Sequence, residues 1–146
     1  MQISGRSWQL VIAQFLLLGF ILVTGPWYPA SEFGQFFFVA GWLVGIAAVW
    51  AFQRSKLSVF PEPNSESQLL THGIYHYIRH PLYTAVLLIA GSLAFDQASW
   101  LRMVAWVLLL VVLLMKMDYE EGLLLTKFPG YSDYKKKTWR LIPMVY

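Results

Sequence analysis

The chain has 146 residues, a length that argues for one domain. It is 58% hydrophobic and only 13% charged, with a mean hydropathy of +0.52, whereas ordinary soluble domains carry about 25% charged residues. Eight acids and eleven bases cannot cover the surface of so small a soluble globule, and 17% aromatic residues exclude a disordered chain, which leaves an integral membrane protein.

The first apolar segment runs over about residues 8–25, with Gln9 and Gln14 as its strongly polar members. Arg6 precedes it as in a signal peptide, but the apolar stretch exceeds the usual 7–15 residues, so it is expected to remain as a span. The second segment, about 33–53, carries no charge until its end. It contains Gly41 and Gly45, a Gly-x-x-x-Gly spacing suited to close helix packing, expected within the chain rather than between copies. The third, about 81–97, is short, and the fourth, about 100–117, is rich in Leu and Val. A helix needs about 20 apolar residues to cross a bilayer, so the expected fold is all-α, a polytopic bundle of four transmembrane helices.

Charge orients it. Ten of the eleven bases lie before segment one, in the loop 54–80 or in the tail 118–146 and the helix end feeding it; Arg102 alone lies on the other side. The positive-inside rule then places both termini, that loop and a helical C-terminal cap in the cytoplasm, giving a multi-pass protein of the inner or plasma membrane. Trp27, Tyr28 and Trp100 fall near the opposite interface, where an aromatic belt is the plain reading.

Nearly all the reactive side chains come after Pro61. The stretch 69–83 places three histidines, three tyrosines and Arg79 where a polar loop meets the third span. Pro81 suits the first turn of a helix, so Arg79 and His80 should stand at its N-terminal mouth, where free N–H groups receive an anion. His72, His76 and His80 are four apart, but Gly73 interrupts the stripe and no acid is near in sequence, so no metal is expected. Cysteine is absent, which removes thiol nucleophiles and Cys-built metal sites. The fourth segment ends in Lys116, Asp118, Glu120 and Glu121, whose plain reading is a solvated, salt-bridged helix end. Lys135, Lys136 and Lys137 read as a tail contacting acidic lipid headgroups.

Two clusters together carry a resemblance. The core Gly73-x-Tyr75-x-x-x-Arg79-His80-Pro81-x-Tyr83, followed after a two-helix hairpin by Glu120-Glu121, Leu124, Phe128, Tyr131, Tyr134 and Arg140-Leu141-Ile142-Pro143, resembles the isoprenylcysteine carboxyl methyltransferase and phosphatidylethanolamine methyltransferase group of membrane enzymes. Here Pro129 stands directly after the Phe, and Tyr131 comes one residue earlier than the family pattern has it. The resemblance implies S-adenosylmethionine as methyl donor and a lipophilic acceptor, an isoprenylcysteine-like carboxylate or a phospholipid amine, reached from the side by lipid. It implies that Gly73, Tyr75, Arg79, His80, Pro81, Tyr83, Glu120 and Glu121 bind the cofactor, that Arg79, His80 and Glu120 are catalytic, and that Tyr131, Tyr134 and Arg140 meet the acceptor. The chemistry agrees: an arginine suits a carboxylate, a glutamate suits an ammonium or ribose hydroxyls, and the faces of Tyr75, Tyr77 and Tyr83 suit a sulfonium. Membrane lipids are the expected partners, with no nucleic acid and no obligatory protein. The alternatives are a reductase of the sterol-reductase type using NADPH, or a non-enzymatic subunit or transporter, against which the absence of charge inside the first two spans counts.

Overall fold

A computed structural model describes residues 5–53 and 69–145. It is all-α: α1 (Gly5–Val23), α2 (Glu32–Phe52), a 3-10 turn (Gly73–His76), α3 (Pro81–Asp96), α4 (Trp100–Lys127) and α5 (Tyr131–Lys137). Most of the loop 54–80 expected on the polar side, residues 54–68, lies outside the described residues.

Each helix begins and ends where local chemistry dictates. Ser31 caps α2, its hydroxyl accepting from Gly34 N at 3.0 Å. Asp96 ties that same end to α3, taking the N–H groups of Ala30 (2.7 Å) and Ser31 (2.9 Å) as well as the Ser31 hydroxyl. Pro81 opens α3, where its missing N–H costs nothing. α4 does not stop near residue 117. Good helix formers carry it through both glutamates to Lys127, and Phe128-Pro129-Gly130 breaks it.

α2 and α4 are long and apolar enough to cross a membrane. The apolar part of α1 (Ser7–Val23) and α3, with 16 residues and so about 24 Å long, are shorter. α3 runs through the middle of the bundle and packs mainly on α2, while α1 packs on α4. Gly41 makes the first of these contacts possible: a Cβ there would stand 2.7 Å from Ile89 Cγ1 on α3. The glycine spacing of α2 thus serves packing within the chain. The core joins Ile21, Leu87, Leu93, Leu109, Leu113, Met117 and Leu141. Outside it, large apolar side chains face outward in number: Phe15, Leu16, Phe36, Leu43 and Trp50 are each at least 60% exposed. A water-soluble protein rarely shows so continuous an apolar exterior.

Candidate active site

The site is built at one end of the bundle, from the chain entering α3, the last turns of α4 and the tail. Gly73 starts the approach with φ at +62°, a left-handed conformation that glycine adopts without strain. Its Cα also faces Ala51 of α2, where a Cβ would come to 3.3 Å. Turn and packing account for this glycine, and the structure does not bring it into the polar cluster. The 3-10 turn buries Tyr75 and leaves Tyr77 more than half exposed, edge-on to His76.

The tail then does something that no local pattern announces. Residues 138–141 lie parallel to residues 77–80: Trp139 N donates to Tyr77 O (3.0 Å), Arg79 N to Trp139 O (2.8 Å) and His80 N to Arg140 O (3.1 Å), with Ile78 and Trp139 paired as a single parallel bridge. Thr84 extends the seam by donating its hydroxyl to Leu141 O at 2.8 Å. This seam turns Arg79 and Arg140 toward α4.

Glu121 is where they meet. Its side chain is 3% exposed, and its Oε1 accepts from Arg79 Nε at 3.0 Å and Arg140 Nε at 3.1 Å, with His80 Nε2 at 3.3 Å. Lys135 Nζ lies 2.8 Å from Oε2, an ion pair by distance without hydrogen-bond alignment. Arg79 is further held by the carbonyls of Lys135 and Thr138, and Arg140 pairs with Asp118. One carboxylate therefore carries three permanent cations and a histidine.

Glu120 is the preceding residue on the helix and points elsewhere. It accepts a hydrogen bond from the Tyr83 hydroxyl and faces His80 Nδ1 at 3.4 Å, with 16% of its side chain exposed. His80 thus stands between the two acids, one ring nitrogen toward each. Only the imidazolium can donate from both nitrogens. Burial opposes the charge on His80, but hydrogen bonds to Glu120 and Glu121 outweigh it and raise the imidazole above its usual value. The ring also stacks on Tyr83, centroids 5.5 Å apart and planes 9° from parallel.

Pro81 is buried at the start of α3 and acts through the backbone. Tyr134 donates its hydroxyl to Tyr75 O at 2.6 Å, which clamps α5 onto the 3-10 turn, and its own ionisation is pushed up to about 12, mainly by burial. Tyr131, 1% exposed, lies beside it with ring centroids 5.8 Å apart. Its hydroxyl is buried and makes no hydrogen bond among the described residues, although the cations around Glu121 are engaged. Burial raises Tyr131 and Tyr75 well above the ordinary tyrosine range, so both keep their protons.

Three neighbours of the cluster were not expected there. Lys135, read as a lipid-facing lysine, turns back onto Glu121. Thr138 holds Arg79. Lys116 is not part of a solvated helix end: it is 4% exposed, donates to Gln14 Oε1 on α1 at 2.9 Å, and lies 5.1 Å from the Tyr83 ring centroid. The one sequence signal for this contact is Gln14, a polar residue midway along an apolar segment.

The family model of phospholipid methyltransferases matches residues 29–130. The chain belongs to the phospholipid methyltransferase family. It is accordingly a methyltransferase of the membrane, and its sequence signature, resembling that group, stands on the residues just described. No individual curated protein matches the chain. The matched region contains Arg79, His80, Glu120 and Glu121, whereas the tail that closes over them lies beyond it.

Proposed function

We propose that this protein is an S-adenosylmethionine-dependent methyltransferase that methylates the amine of a membrane phospholipid, from a site at the cytoplasmic face of four membrane-crossing helices. The whole chain is read as one such domain with both termini cytoplasmic. The surplus of cations around Glu121 is the observation that carries this reading. Arg79, Arg140, Lys135 and the protonated His80 bring four positive charges to three acids, Glu121, Glu120 and Asp118, an excess of one. A site so loaded favours a further anion, and the cofactor has a carboxylate to offer. The buried, unpartnered Tyr131 hydroxyl supplies a polar atom that a ligand can satisfy. The donor set therefore fits: Arg79 for the carboxylate, Glu121 for ribose hydroxyls or ammonium, and the Tyr75, His80 and Tyr83 rings for the sulfonium.

When bound, the cofactor supplies the transferable methyl group; the chain's residues do the rest. Methyl transfer is an in-line displacement, and positioning with exclusion of water yields most of its rate. Arg79 and Arg140 orient charge, and the seam 77–80 with 138–141 covers the cluster. A phospholipid ammonium must lose a proton before it attacks. Glu120, the less buried acid, is placed to receive it, and His80 and Tyr83 hold its carboxylate in position. Tyr131, Tyr134 and Arg140 are the residues proposed to meet the acceptor.

The test is calorimetric titration of the purified protein with S-adenosylhomocysteine, paired with incubation of labelled methyl donor and total lipid extract. Binding that Glu121→Ala abolishes, and label in an aminophospholipid, are expected. No binding by wild type, or equal binding by the variant, sinks the reading.

A further inference from the structure

At the end of the bundle away from Glu121, Arg102 stands in the first turn of α4. It is the one base that charge placement assigns to the side opposite all the others. Its side chain is among the most deeply covered in the molecule, with the residue 2% exposed. Its Nε, Nη1 and Nη2 are all without a hydrogen-bond partner among the described residues. The guanidinium lies against Gly25, just beyond α1, so closely that a Cβ there would overlap it. Asp96, the acid at the neighbouring end of α3, acts on this charge through space but makes no hydrogen bond to it: its carboxylate oxygens accept from Ala30 N, Ser31 N and the Ser31 hydroxyl. Among the described residues, no acid lies within salt-bridge distance of Arg102.

A guanidinium has five N–H donors in a planar fork and cannot shed its charge. Left buried without an acceptor it is strongly unfavourable, and among the described residues nothing supplies one. Two nearby features say what completes the site. The first N–H groups of α4 have no intrahelical acceptor, and its N-cap Ser99 makes no side-chain cap. They add a second set of donors and the positive end of the helix dipole. Trp27, Trp100 and Tyr28 are 82%, 69% and 53% exposed around this end, the pattern of side chains at the headgroup level.

We propose that Arg102, with the N-terminus of α4, binds the phosphodiester of a net-anionic membrane lipid in the leaflet opposite the methyl-transfer site. A bidentate guanidinium–phosphate pair matches the fork, and phosphate is the abundant anion at that depth. A net-anionic headgroup is favoured over a zwitterionic one because a headgroup cation would be repelled by the guanidinium that its phosphate meets. The inference uses the proposed transmembrane placement but not the chemistry of the other end.

The test is reconstitution of the full chain in nanodiscs of phosphatidylcholine, with and without phosphatidylglycerol, then thermal melting and native mass spectrometry of retained lipid. Wild type should melt higher with phosphatidylglycerol and keep one such lipid. In Arg102→Gln the shift should vanish and retention fall by about tenfold, and Arg102→Lys, which keeps the charge without the fork, should fall between them. An equal response in Arg102→Gln assigns the lipid to the lysines of the tail and overturns the proposal. Should that variant fail to fold, the wild-type titration still decides, since no dependence on phosphatidylglycerol overturns it outright. Inorganic phosphate that raises the melting point in phosphatidylcholine alone, and displaces the lipid, overturns the lipid as ligand in favour of a free anion. S-adenosylhomocysteine binding, measured beside these, reports on the other end independently.

Discussion

The two ends of the helix bundle treat charge in opposite ways. Around Glu121, charges are many and shared: one carboxylate holds Arg79, Arg140, Lys135 and His80, and a second acid next to it holds His80 and Tyr83. At the far end charges are few and separate: Asp96 is consumed by the start of α2, and Arg102 has no hydrogen-bond partner among the described residues. In a low-dielectric setting a single uncompensated charge is expensive, and a network spreads that cost over many contacts. The crowded end ties the entry to α3, the end of α4 and the tail together around one buried carboxylate. The sparse end has a fixed staple and one open requirement.

The sharpest way to break this contrast is to remove the hub. Glu121→Ala leaves three cations and a histidine facing one another, and losing one partner of a buried pair costs about 3–5 kcal/mol. Thermal melting should show that loss, and S-adenosylhomocysteine binding should disappear; near-wild-type stability would mean that the network is slack. Glu120→Gln is isosteric and spares the hub. If Glu120 takes the amine proton, single-turnover methylation should slow by about 10²–10⁴-fold while S-adenosylhomocysteine affinity changes little. A parallel loss of affinity would move Glu120 from base to cofactor ligand.

At the sparse end, Asp96→Ala removes an acceptor from two N–H groups and a hydroxyl. The site is partly exposed, so a cost of about 1 kcal/mol is expected, seen as a small drop in melting temperature without loss of cofactor binding. The crowded end should also respond to pH. His80 is raised above its unfolded value of 6.5, so its contribution is fully present below that value and is lost as pH rises through the folded one. Melting temperature should therefore fall on the alkaline side, and His80→Gln should flatten the curve. Smallest of all is Lys136→Ala. Its pair with Asp133 is about three-quarters exposed on both sides, and the change should stay within about 0.5 kcal/mol of wild type.

Much of the site is legible in the sequence because its residues are marked locally. Arg79, His80 and Pro81 announce a helix mouth, and Glu120 with Glu121 interrupts a run of Leu and Val. The structure brings these together, with Tyr75, Tyr83, Tyr131, Tyr134 and Arg140 around them. Gly73 and Tyr77 stand apart, the first explained by backbone and packing, the second turned outward. Lys116 reads as solvated and Lys135 as lipid-facing in sequence because a lysine beside the membrane carries no mark of which way it turns. Lys116 finds its acceptor on a helix 102 positions away.

Sequence by itself determined the features set by short-range physics: an all-helical chain too apolar for water, where most of the helices start and stop, and which side carries the bases. Tertiary structure alone decided that the tail at 138–141 zips alongside residues 77–80, that four basic groups converge on Glu121, and that Arg102 is buried with no acceptor among the described residues. Backbone hydrogen bonds and hydrophobic period act over a few residues and leave a trace in the letters. Ion pairing acts through space, on whatever the packing of α1 to α4 brings near, and only the assembled bundle fixes those distances.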